Sequence, residues 1–185
     1  RKDDAMMQAK VCLGLVDEGG GNWYFILEQK YLLFMQHEEY SNGIRVIEAA
    51  ASHNKFSSTL DRIKQQFTIY EAYCNFVVSR GKASFSDPER NRKKFRLGKF
   101  LNEVPVYSKD KRGTNIQIII IQILTLLDQH KYGQVIDKVE ALNMYCHRYL
   151  RKNDTFRSNC FIKMLLQLPA ARFNRIAAER KAKKY

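Results

Sequence analysis

Leu60, Ile63, Phe67, Tyr70, Cys74 and Val77 step along the chain by three or four residues for about five turns, with Ile69, Tyr73 and Phe76 widening the stripe. Such spacing brings side chains back to one side of a helix and is incompatible with the two-residue alternation of a half-buried strand. The same period recurs along most of the chain. Met6, Ala9, Leu13 and Val16 predict a first helix closed by Gly19-Gly20-Gly21-Asn22. Leu27, Tyr31 and Phe34 predict a second, and after the polar His37-Glu38-Glu39 the positions Tyr40, Gly43, Ile47, Ala50 and Ala51 predict a third.

Start and stop signals extend the pattern. Asp87-Pro88-Glu89 supplies an N-cap, a proline at the first helical position and an early acid, so a helix is expected through Phe95, Leu97 and Phe100 to about Val104, where Pro105 ends it. Gly113-Thr114-Asn115 opens an isoleucine-rich run to about Gln129. Its β-branched content suits a strand too, but it is too long for one and has no partner strand nearby, so it reads as helix. Tyr132, Val135, Val139, Leu142 and Tyr149 trace the next helix. Asp154 caps another running to Leu165, and Pro169 opens the last through Phe173, Ile176 and Ala177. The expectation is an all-α chain of about nine helices forming one region, 1–185. It begins at Arg1 and stops within the basic run Arg180–Tyr185, which reads as an excerpt of a longer protein.

Gln36 to Ile44 parallels Asp128 to Ile136, and Phe173, Ile176 and Ala177 look like a third, shortened copy. In the first two, an aromatic opens the second helix of a pair and a small or branched residue follows three later. Tyr40, Gly43, Ile47 and Ala50, with Tyr132, Val135, Val139 and Leu142 more loosely, resemble the second helix of the tetratricopeptide repeat. The chain departs from that family where Tyr31 and Ile123 stand at a position preferring a small residue. The helix from Leu60 to Val78 is also long for a unit of about 34 residues. The resemblance implies antiparallel hairpins stacked as a short right-handed α-solenoid, and with it a noncatalytic protein-interaction, sensor or scaffold region that takes a peptide on a helical groove. A generic helical bundle is the alternative.

Chemistry-bearing motifs are scarce. No nucleophile elbow, zinc-protease helix, phosphate loop or dinucleotide fingerprint occurs, so no enzyme, cofactor or metal is expected. His37 and His130 sit in matching interhelical positions and read as polar turns. Cys146 and His147, being adjacent on a helix, point about 100° apart and make a poor ligand pair. Cys12, Cys74, Cys146 and Cys160 form no C-x-x-C pair and suit free thiols in a reducing compartment, with the cytoplasm as default. Ile116 to Leu127 falls short of the roughly 20 apolar residues that cross a bilayer, so no membrane partner is expected.

Charge carries the remaining signal. Thirty-two Lys and Arg against 19 Asp and Glu give a net +13, which either solubilises the surface or draws nucleic acid, anionic surfaces or acidic proteins. Arg90, Arg92, Lys93, Lys94, Arg96 and Lys99 crowd one predicted helix with Phe95 and Phe100 interleaved, and Lys109, Lys111 and Arg112 precede the helix start at Thr114. A second cluster comprises Arg172, Arg175, Arg180, Lys181, Lys183 and Lys184. The two clusters, 90–112 and 172–184, make an anion- or nucleic-acid-binding helical domain the alternative function. Tyr24, Tyr31, Tyr70 and Tyr73 are candidates for lining a peptide groove, although they also lie on the apolar stripes that predict the core.

Overall fold

The computed structural model describes residues 2–104, 114–149 and 156–185, and every regular element among them is helical. Contacts divide the chain into two compact units, Arg1–Val106 and Tyr107–Tyr185. Pro105, Lys109, Lys111, Arg112, Gly113 and Asp154, with the helix boundaries and basic residues expected there, lie outside the described residues.

The first unit contains α1 (Lys2–Leu13), α2 (Gly21–Gln36), α3 (Tyr40–Ser52), α4 (Asp61–Ser79), α5 (Pro88–Arg92) and α6 (Leu97–Glu103). The first four pack in sequence, each against the next, and α6 lies on α4. Burial follows the three-four spacing. Trp23, Tyr24, Leu27 and Tyr31 of α2 meet Ile44, Ile47 and Ala50 of α3 and Phe67, Tyr70 and Cys74 of α4, with Phe85 closing one side. The centre is aromatic: Tyr24 meets Phe67 edge-on at 5.7 Å, and the Tyr31 and Tyr70 rings lie 4.6 Å apart. The Tyr31 hydroxyl donates to the Tyr70 carbonyl at 3.3 Å, and the Tyr70 hydroxyl donates to Glu28 at 2.6 Å.

The second unit contains α7 (Thr114–Asp128), α8 (Tyr132–Tyr149), α9 (Phe156–Leu165), α10 (Gln167–Ala170) and α11 (Arg175–Ala182). The isoleucine-rich segment is α7. It buries Ile116, Ile118, Ile121, Ile123 and Leu126, and its hairpin partner α8 buries Val135, Val139 and Leu142. Thr125 stays inside by donating its hydroxyl to the Ile121 carbonyl at 2.8 Å.

The α2–α3 and α7–α8 hairpins turn in the same way. Glu38 and His130 both adopt left-handed backbone, with φ of 60° and 55°. Glu39 N–H donates to the Phe34 carbonyl and Lys131 N–H to the Leu126 carbonyl, each at 2.9 Å, which satisfies carbonyls that a helix end leaves open. After each turn the buried positions correspond: Gly43 with Val135, Ile47 with Val139, and Ala50 with Leu142. The glycine eases a close approach, since a Cβ at Gly43 would lie 3.2 Å from the flexible Met35 Sδ.

Three expectations change. The helix expected from Pro88 to Val104 is two helices. Lys93 leaves the first with φ −79° and ψ 123°, and Arg96 enters the second with φ −107° and ψ 99°. Kept helical, Arg90 and Lys94 would stack like charges four residues apart, as would Arg92 and Arg96, and Gly98 weakens the propensity further. Opening the chain also lets Phe95 turn onto Phe100 at 5.8 Å. Pro169 opens no helix: it is the third residue of the short α10. Arg172 and Phe173 then turn left-handed, and Asn174 caps α11 by accepting from Ala177 N–H at 3.0 Å. That cap displaces the third copy's register: Ile176 is 77% exposed, and Ala178 takes the buried place.

Candidate anion-binding cleft

A cleft of about 840 Å³ opens in the first unit between α4 and the chain from Arg90 to Glu103. Its floor is a face of α4 flanking the aromatic core, carrying Thr68, Glu71, Ala72 and Asn75 at helical spacing. The facing wall brings Arg90, Arg92, Lys93, Lys94, Arg96 and Lys99 together with Phe95. Phe100 anchors that wall, being 3% exposed beneath Phe95, so the break between the two short helices is held in place by a ring pair.

The six cations divide into two groups. Lys99 lies 3.6 Å from Glu103 one turn on. Arg90 is an internal clamp. Its guanidinium donates to Glu71 on α4, lies 3.9 Å from Glu48 on α3, and covers the Phe85 ring at 4.1 Å. Glu48 also accepts from Ser86, from the backbone N–H at 2.9 Å and from the hydroxyl at 2.6 Å. Asn91 completes the junction by accepting from Phe85 N–H at 2.7 Å and donating to the Phe85 carbonyl at 2.9 Å. Arg90 was grouped with the anion-binding residues on sequence, but its charge is already spent within the fold. Arg92, Lys93, Lys94 and Arg96 are exposed and have no acidic partner among the described residues. Four unmatched cations on the wall of a concave, partly apolar site can compensate an anionic occupant.

The tyrosines offered as groove residues are placed elsewhere. Tyr24, Tyr31 and Tyr70 are 1%, 2% and 4% exposed in the core, so none presents a ring face to a partner, and Tyr73 is half-buried on α4. Burial raises the pKa of all four above the ordinary phenol value, and the carboxylate of Glu28 adds to the rise at Tyr70. Burial likewise pushes the neighbouring Cys74 thiol up to about 12. The spacing had allowed both readings of these tyrosines, and volume decides between them, because large rings on an apolar stripe fill the space between helices.

The second basic cluster lies in the second unit and is partly engaged. Arg175 pairs with Glu179 at 2.8 Å, Lys181 donates to the Ala170 carbonyl at 2.8 Å, and Lys184 covers the Tyr185 ring at 5.1 Å. Arg172, Arg180 and Lys183 are exposed. Lys109, Lys111 and Arg112 lie outside the described residues, as do the side chains of Cys146 and His147.

Among the described residues no group of three or more His, Cys, Asp or Glu is placed to hold a metal ion, and no helix is long and apolar enough to cross a membrane. The floor of the cleft was not anticipated, although Thr68, Glu71, Ala72 and Asn75 recur at the same period as the apolar stripe, on a flank of the same helix. No protein-family model, curated protein or solved structure matches the chain.

Proposed function

We propose that this chain is a noncatalytic interaction module that captures an acidic protein segment in the cleft between α4 and the α5–α6 turn. The observation that carries the reading is the group Arg92, Lys93, Lys94 and Arg96, which lines a cleft of peptide size without acidic partners among the described residues. A stack of tetratricopeptide-like hairpins in a larger cytoplasmic protein belongs to the same reading. It is supported by the matching turns of α2–α3 and α7–α8 and by the free thiols of Cys12, Cys74 and Cys160.

The test is titration of a fluorescent glutamate-rich peptide into the wild-type protein and into the triple variant Lys93→Glu, Lys94→Glu, Arg96→Glu. Each exposed charge is worth up to about 1 kcal/mol, so reversing three should weaken binding about thirtyfold, roughly 2 kcal/mol, with helical circular dichroism unchanged. Equal affinity for both proteins would refute the site. Tighter binding of random single-stranded RNA, with a steep loss on adding salt, would favour the nucleic-acid reading that the overall charge allows.

A further inference from the structure

The wall of the cleft offers its backbone as well as its charges. Between α5 and α6 the backbone is extended at Lys93 and at Arg96, and among the described residues the N–H groups of Lys94, Phe95 and Arg96 and the carbonyls of Lys94 and Phe95 make no backbone–backbone hydrogen bond. The neighbouring groups are engaged: Lys93 N–H donates to the Arg90 carbonyl at 3.2 Å, and the Arg96 carbonyl accepts from Phe100 N–H at 3.1 Å. The open stretch is therefore short and bounded at both ends. Side chains of an extended segment alternate in direction. Phe95 packs on Phe100, while Lys94 and Arg96 on either side of it are exposed and line the same cleft.

We propose that the acidic occupant binds as an extended strand, pairing its main chain with the Lys94–Arg96 edge while its carboxylates meet Lys94, Arg96 and the flanking Arg92 and Lys93. An exposed row of unpaired amides and carbonyls is a template for an added strand, in which main-chain bonds supply affinity and side chains supply selectivity. Charge complementarity specifies acidic side chains. The floor suits such an occupant, since Thr68, Ala72 and Asn75 rise little above the α4 backbone and let a strand lie close. The inference rests on the acidic-segment reading and narrows it, because a helical acidic peptide satisfies its own backbone and would leave this edge unused.

The experiment compares three versions of a short peptide alternating glutamate and valine: unmodified, N-methylated at every glutamate, and N-methylated at every valine. Successive amides of a strand face opposite edges, so only one set can bond to the protein. Losing two such bonds corresponds to about a tenfold loss of affinity. The expected result is that one methylated set weakens binding at least tenfold while the other stays within about threefold of the unmodified peptide. The unmodified peptide should also slow hydrogen exchange at Phe95 or Arg96. Equal affinity or equal loss for the two methylated peptides would overturn backbone pairing, and so would tighter binding of a side-chain-stapled helical peptide of the same charge. If the unmodified peptide fails to bind at all, it is the acidic-segment reading itself that falls.

Discussion

Removing the Arg90 side chain isolates what holds the wall of the cleft in place. In Arg90→Ala, the bond to Glu71, the proximity to Glu48 and the cover over Phe85 disappear together. The guanidinium is 29% exposed, with Glu48 at 18% and Glu71 at 42%. A charged hydrogen bond is worth ~1.5–3 kcal/mol, but the exposure of Glu71 reduces this to about 1 kcal/mol. The cation over the Phe85 ring adds ~0.5–1 kcal/mol and the longer approach to Glu48 about half as much. The expected loss is therefore about 2 kcal/mol, a fall in melting temperature of roughly 10 °C for a unit of this size. Trp23, the only tryptophan, is 9% exposed in the first unit's core, so its fluorescence in urea reports unfolding of that unit. Arg90→Lys should recover less than half of the loss, because an ammonium cannot serve Glu71, Glu48 and the ring at once. Lys94→Ala, on the exposed side of the break, should change stability by less than about 0.5 kcal/mol. An Arg90→Ala protein as stable as wild type, or a Lys94→Ala protein destabilised as much as Arg90→Ala, would refute the division of these cations into clamp and ligand groups.

Three other outcomes follow from the packing. Gly19→Ala should cost about 2 kcal/mol by urea denaturation, because Gly19 has φ 75° and a Cβ there would fall 2.8 Å from His53 Nδ1. Gly43→Ala should stay within about 1 kcal/mol of wild type, since the flexible Met35 thioether can yield and alanine favours helix, whereas Gly43→Leu should cost about 2 kcal/mol or more by the same assay. Alkaline pH should unfold the first unit: Cys74 ionises at about 12 in place of its ordinary 9.0, and burial raises Tyr31, Tyr70 and Tyr73 in the same direction. With folded pKa values above unfolded ones, their contribution is complete below about pH 9 and is lost as pH rises toward 12; the urea midpoint should fall over that range, and an unchanged midpoint would contradict it.

The helices were legible in the sequence wherever one apolar stripe faced one core. Leu60 to Val77 and Tyr132 to Tyr149 fall within α4 and α8 to within a residue or two, because burial and period agree there. The Arg90–Lys99 stretch was misread as continuous for the opposite reason: its cap at Asp87 is local and strong, but the like charges that break it act between residues a turn apart, and the gain from seating Phe95 on Phe100 is tertiary. Half of the cleft was visible as a run of cations. The other half, on α4, was a polar stripe indistinguishable from a solvated face until the chain folded back over it. The role of Arg90 depended on Glu48 and Glu71, both distant in sequence, and no local pattern announces such a junction even though Phe85 lies close by.

Crowding Arg92, Lys93, Lys94 and Arg96 into five consecutive positions means that the empty protein carries a standing repulsion. Dissolved ions screen it, so raising ionic strength firms the unoccupied fold while loosening any complex with an anion. The two responses run in opposite directions. A buffer selected because it keeps the purified protein most stable is for that reason among the poorest in which to look for what it binds, and dilute buffer, where the free protein is least comfortable, is where its occupant would be held most firmly.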